Sequence, residues 1–215
     1  ASVNADAGED VIICLGSSTI LTATGGSSYQ WNTGETTQSI EVSPEMTTTY
    51  SVEVFNAAEN NSDIDEVEVV VNDIPTANAG DDAEICQGST VTLAAEGGAS
   101  YQWNTGETTQ NIEVSPDTTT TYSVEVFNNG CSDTDEVVVF VNDIPTANAG
   151  DDAEICQGST VTLAAEGGSS YQWNTGETTQ SIEVSPDTTT TYSVEVFNNG
   201  CSDTDEIEVV VNETP

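Results

Sequence analysis

Five cysteines and 38 carboxylates carry most of the chemistry open to this chain, because it contains no lysine, arginine or histidine. Disulfide formation, cation binding through oxygen and carboxylate acid–base work are therefore the reactions to weigh. Cys86 and Cys131 stand 45 residues apart, and so do Cys156 and Cys201. The recurrence predicts one disulfide within each of those repeats, from the first turn to the last hairpin. A loop of that size is worth roughly 4 kcal/mol in the chain-entropy account. Cys14 lacks such a partner, since Asn61 in a longer loop takes its place. It is read as an unpaired Cys14, either a buried free thiol or a bond to a neighbouring chain. Two disulfides imply an oxidising compartment.

Calcium is the cation that an oxygen-rich chain suits, since it takes six to eight carboxylate, amide and carbonyl ligands. Candidate ligands gather in two kinds of place. The linkers contribute Asp73, Asn78, Asp81 and Asp82, then Asp143, Asn148, Asp151 and Asp152. The segments after the last hairpins contribute Asp133 and Asp135, then Asp203 and Asp205. Their spacing is not that of the helix–loop–helix calcium site. The plainer expectation is a set of solvated turn-forming residues.

Paired carboxylates are also the machinery of glycoside hydrolysis. Here almost every one recurs in each repeat, and no singular constellation of base, nucleophile or metal stands out. The chain reads as a non-enzyme. Trp31, Trp103 and Trp173 offer a sugar-stacking surface in principle, but one Trp per repeat in a Tyr-x-Trp alternation fits a sandwich core better.

The elements that position these groups come from an internal repeat. YQWNTGETTQ occurs at 29–38, 101–110 and 171–180, and residues 73–142 differ from 143–212 at five positions only. Each copy is long enough to be a domain rather than a solenoid turn. The boundaries predicted are 1–73, 74–143 and 144–215, with Pro75 and Pro145 ending the preceding strands. Within a copy the polarity alternates with period two, as in Ser89–Glu96 and Thr119–Phe127, and Gly, Asn and Pro mark the turns. The fold class expected is all-β: three tandem Ig-like antiparallel β-sandwich domains arranged end to end.

A formal charge of −38 excludes nucleic acid as a partner, because phosphate recognition rests on basic side chains. No run is apolar and long enough for membrane insertion. No basic-then-apolar leader opens the chain, so any targeting segment is expected to be removed or to lie outside this piece.

The order of motifs resembles a known class of repeats. Asn-Ala-Gly-Asp-Asp, Ile-Cys-x-Gly-Ser-Thr-Val-Thr-Leu, Tyr-x-Trp, Thr-Gly-Glu-Thr-Thr, Ser-Pro-x-Thr-Thr-Thr-Tyr and Asn-Asn-Gly-Cys follow one another as in the PKD-like and Ig-like repeats of large secreted bacterial adhesins. That resemblance implies a seven-stranded sandwich serving as spacer, stalk or fibre component at the cell surface or outside the cell. Its partners would be neighbouring domains of the same polypeptide or copies of itself. A glycan-binding tandem module is the alternative. Asp-Thr-Thr at Thr118 and Thr188 also resembles a bacterial O-glycosylation acceptor, which would add bulk on a turn.

Overall fold

The computed structural model describes residues 3–56 and 61–213, and all its regular elements are strands. The first repeat holds β1 (Val11–Cys14), β2 (Thr19–Thr22), β3 (Ser28–Trp31), β4 (Ser39–Val42), β5 (Thr48–Asn56) and β6 (Asn61–Asn72). The second holds β7 (Ala83–Cys86), β8 (Val91–Ala94), β9 (Ser100–Trp103), β10 (Asn111–Val114), β11 (Thr120–Asn128) and β12 (Cys131–Asn142). The third holds β13 (Ala153–Cys156), β14 (Val161–Ala164), β15 (Ser170–Trp173), β16 (Ser181–Val184), β17 (Thr190–Asn198) and β18 (Cys201–Asn212).

Each repeat contributes a four-stranded and a two-stranded sheet, and in the first and third repeats the two share one core. In the third, the orders are β13-β18-β17-β15 and β14-β16. The long hairpin β17–β18 is antiparallel, from Asn198↔Cys201 to Thr190↔Val209. The short first strand instead runs parallel to the end of the last one, Cys156 lying opposite Asn212. The first repeat has the same parallel register, Cys14 opposite Asn72. The sandwich is thus antiparallel apart from one parallel pair per repeat. The resemblance implied seven strands, but six form; the place of the seventh goes to an extended segment held by the isolated bridge Asn148↔Glu166.

Alternation supplies the core. Tyr192, Val194 and Val196 on β17 and Ile207 and Val209 on β18 face Leu163, Ile182 and Val184 of the smaller sheet, with Trp173 among them. Every core valine or leucine contributes about 1.5–3 kcal/mol through burial. The three tryptophans are each 1% exposed. The indole N–H of Trp173 donates to the Thr179 carbonyl at 3.0 Å, which removes the cost of burying it. Gly168 allows close approach here, since a Cβ on it would overlap Val196 Cγ1 and Phe197 O.

Close packing groups the chain into two compact units. One comprises the residues up to Ala79 with Ala94–Gln110 and Ser123–Glu136; the other comprises Gly80–Leu93, Asn111–Tyr122 and the residues from Val137 onward. The division runs through the second repeat.

Candidate functional site

The cysteines do not pair within repeats. Cys14 is bonded to Cys131, and Cys86 to Cys201, at Cα separations of 5.7 and 5.6 Å. Cys156 is the free thiol among the described residues, and it is exposed. The expected pairs Cys86–Cys131 and Cys156–Cys201, and the expected unpaired Cys14, are therefore corrected.

Strand length gives the reason. In the third repeat Cys156 lies opposite Asn212, the last residue of β18, whereas Cys201 is the first residue of that 12-residue strand. At about 3.3 Å per residue the two ends stand roughly 36 Å apart. A disulfide needs Cα atoms within about 7 Å. The first and last cysteines of one repeat therefore lie at opposite poles, and the four that are bonded each meet a cysteine of a neighbouring repeat instead.

Two parts build the junction. One is a socket, the cysteine ending the first strand beside the asparagine ending the last: Cys14 with Asn72, and Cys86 with Asn142. The other is a hairpin tip, Asn129-Gly130-Cys131 or Asn199-Gly200-Cys201. Asn129 and Asn199 both have φ of 48°, and the glycines after them are also positive. That pattern is the turn for which Asn-Gly is selected between right-twisted strands. It exposes the asparagine carbonyl at the tip. Asn72 Nδ2 donates to the Asn129 carbonyl at 2.8 Å, and Asn142 Nδ2 to that of Asn199 at 3.2 Å. The socket asparagines and the Asn-Gly tips are functional residues that the spacing of cysteines alone does not reveal; their recurrence in successive repeats is the signal that could have found them.

The candidate metal ligands have another use. Asp203 and Asp205 alternate in phase with Ile207 and Val209, so they face inward, and they accept hydrogen bonds from Ala147 N at 2.9 Å and Ala149 N at 2.8 Å. Asp152 accepts from Glu208 N at 2.9 Å. Asp133, Asp135 and Asp82 repeat this, taking Ala77 N at 2.9 Å, Ala79 N at 2.9 Å and Val138 N at 2.8 Å. Asn148 accepts from the Gly150 N–H at 2.9 Å. Asp73, Asn78, Asp81, Asp143 and Asp151 are exposed. Asp133, Asp135, Asp203 and Asp205 thus substitute for strand partners along the extended segments before β7 and β13, while Asp82 and Asp152 cap N–H groups of β12 and β18. Among the described residues no three potential ligands come close enough to hold a metal ion.

Hydroxyl donation from Thr33 and Thr105 holds the exposed Glu35 and Glu107 below the usual carboxylate range, the opposite of what a general acid requires. Thr118 and Thr188 lie exposed on the turns before β11 and β17. No helix among the described residues is long and apolar enough to cross a membrane.

No protein-family model and no curated protein matches the chain. Solved structures do. A three-Ig-domain segment of titin aligns with 99% of this chain and 100% of its own at TM-score 0.51 and 14% identity. An I-band fragment of titin aligns with 95% of this chain and 96% of its own at TM-score 0.49 and 14% identity. Extracellular domains 3–5 of Drosophila OTK align with 95% of this chain and 94% of their own at TM-score 0.45 and 12% identity. At such identity the likeness concerns fold, and the first of the three carries it. The chain is an all-β array of three tandem Ig-like sandwiches.

Proposed function

We propose that this chain is a covalently stapled spacer, an extracellular structural or adhesive segment of a large secreted bacterial surface protein, built from domains 1–73, 74–143 and 144–215. The observation that supports it is the pairing of cysteines between successive repeats. A bond inside a domain stabilises that domain. A bond between neighbours limits how far they can separate under load, which serves a stalk and gives a catalyst nothing. Two disulfides favour an oxidising location outside the cell. The dense negative charge keeps such an array soluble and unassociated. The glycan-binding reading loses its aromatic platform because the tryptophans are buried.

Single-molecule pulling from both termini tests this. With Cys14–Cys131 and Cys86–Cys201 intact, the shortest covalent path runs along 1–14, 131–86 and 201–215. Fully extended, it spans roughly 250 Å, against roughly 750 Å for the reduced chain. Bonds within repeats would give roughly 440 Å instead. An oxidised extension near the reduced value would sink the spacer reading.

A further inference from the structure

We propose that Cys156 and Asn212 form a third socket, which takes the Asn-Gly-Cys hairpin of another Ig-like repeat and closes a disulfide on it. The inference rests on the stapled-spacer reading. It is carried by the same pair of residue types holding such a hairpin twice in this chain, at Cys14 with Asn72 and at Cys86 with Asn142.

The third socket is formed to the same pattern. Gln157 N donates to the Asn212 carbonyl at 3.0 Å, as Leu15 does to Asn72 at 2.9 Å and Gln87 to Asn142 at 2.9 Å. Ser159 N closes the turn onto the Cys156 carbonyl at 2.9 Å, matching Ser17 on Cys14 and Ser89 on Cys86 at the same distance. Val211 N donates to Thr189 Oγ1 at 3.1 Å, as Val141 N does to Thr119 Oγ1 at 3.1 Å. Exposure is what differs. Cys156 and Asn212 are exposed where Cys14, Asn72, Cys86 and Asn142 are half-buried.

A second copy of this chain does not offer the required hairpin. Its Cys131 and Cys201 are already bonded, and its first repeat has Asn61 at that position, paired with Asn56 as Cys201 is with Asn198. The occupant is a repeat of this kind with its hairpin thiol still free.

Closure needs an oxidant, and a small disulfide such as oxidised glutathione supplies it. The Cys156 thiolate attacks that disulfide, forming a mixed disulfide and releasing one glutathione thiolate. The hairpin thiolate then attacks the Cys156 sulfur and expels the second. Two protein thiols lose two electrons and two protons, and one glutathione disulfide becomes two glutathiones.

The test lengthens the full chain by an in-frame copy of residues 143–212 placed directly after Asn212. Folding in a glutathione buffer is followed by alkylation with iodoacetamide, cleavage at acidic residues and mass mapping. In the unextended chain Cys156 carries iodoacetamide or glutathione and is joined to no protein cysteine. In the extended chain alkylation at Cys156 is lost, the label moves to the first-strand cysteine of the added copy, and Cys156 is found joined to the added hairpin. Monomeric mass on a non-reducing gel assigns the bond to one polypeptide, and ladders assign it to separate ones; both support the socket. Labelled Cys156, Cys156–Cys156 dimers, or an added copy closed on itself would each overturn it. Should Cys14–Cys131 and Cys86–Cys201 be missing from the same map, the spacer reading fails as well; should they be present, only the third socket does.

Discussion

Cys86 is bonded to Cys201, which lies 115 residues further along the chain and in the next repeat, with 5.6 Å between their Cα atoms. The loop it closes is worth about 4.7 kcal/mol in the chain-entropy account, somewhat more than a loop within one repeat. Cys201→Ser is expected to lower unfolding free energy by about 2–5 kcal/mol and to free Cys86 for alkylation while Cys14–Cys131 stays intact. Denaturant titration with thiol counting checks both parts. Loss of both disulfides on this one substitution would refute the pairing.

Asp205 holds the N–H of Ala149, a residue with no exposed surface. Asp205→Ala leaves that buried donor without its acceptor, at a cost of about 1–3 kcal/mol. Asp205→Asn keeps an acceptor oxygen and is expected to cost less. Urea denaturation of the two variants ranks them.

Gly168→Ala places a methyl group against Val196 and the Phe197 carbonyl. Overpacking of this kind costs about 1–3 kcal/mol, and a backbone obstacle moves less readily than a side chain. A lowered melting temperature with unchanged disulfide mapping is expected.

Burial raises the phenol pKa of Tyr50 and of Tyr122 above the usual tyrosine value. The folded chain then holds those protons more tightly than the unfolded chain does. The resulting stability is fully present below the unfolded value near pH 10 and is lost as pH rises through the folded one. Tyr50→Phe with Tyr122→Phe should flatten the alkaline fall in a pH series of denaturant midpoints.

With a formal charge of −38 and no cationic side chain, repulsion opposes compactness everywhere on the surface. Raising sodium chloride from about 0.01 M to about 0.15 M shortens the screening length from roughly 30 to 8 Å and should raise the melting temperature. Calcium at matched ionic strength should add no specific step. A saturable calcium transition would show a site that the folded carboxylates do not display.

Much of the fold was legible in the order of residues, because its causes are local. Period-two polarity around Val194 and Val196, the Asn-Gly turns and the Tyr-x-Trp pairs depend on neighbours within a few positions. They predicted strands, hairpins and core tryptophans that the structure contains. Asp203 and Asp205 were not legible in this role: the sequence offered them as cation ligands or solvated turn formers, whereas the N–H groups they meet belong to a segment 56 residues earlier.

Cysteine pairing was beyond local reach. Equal spacings of 45 residues made bonds within repeats the natural expectation. Pairing between repeats uses the same five cysteines and also leaves one thiol over. What decided between them is the length of β18 and the parallel register of Cys156 on Asn212, which send the two cysteines of a repeat to opposite poles. The sequence by itself determined the sandwich, the repeat and the oxidisable thiols, since short-range pattern suffices for each. Only the tertiary structure decided which sulfurs meet, because a disulfide requires proximity, and proximity here is set by strand register and by the neighbouring repeat.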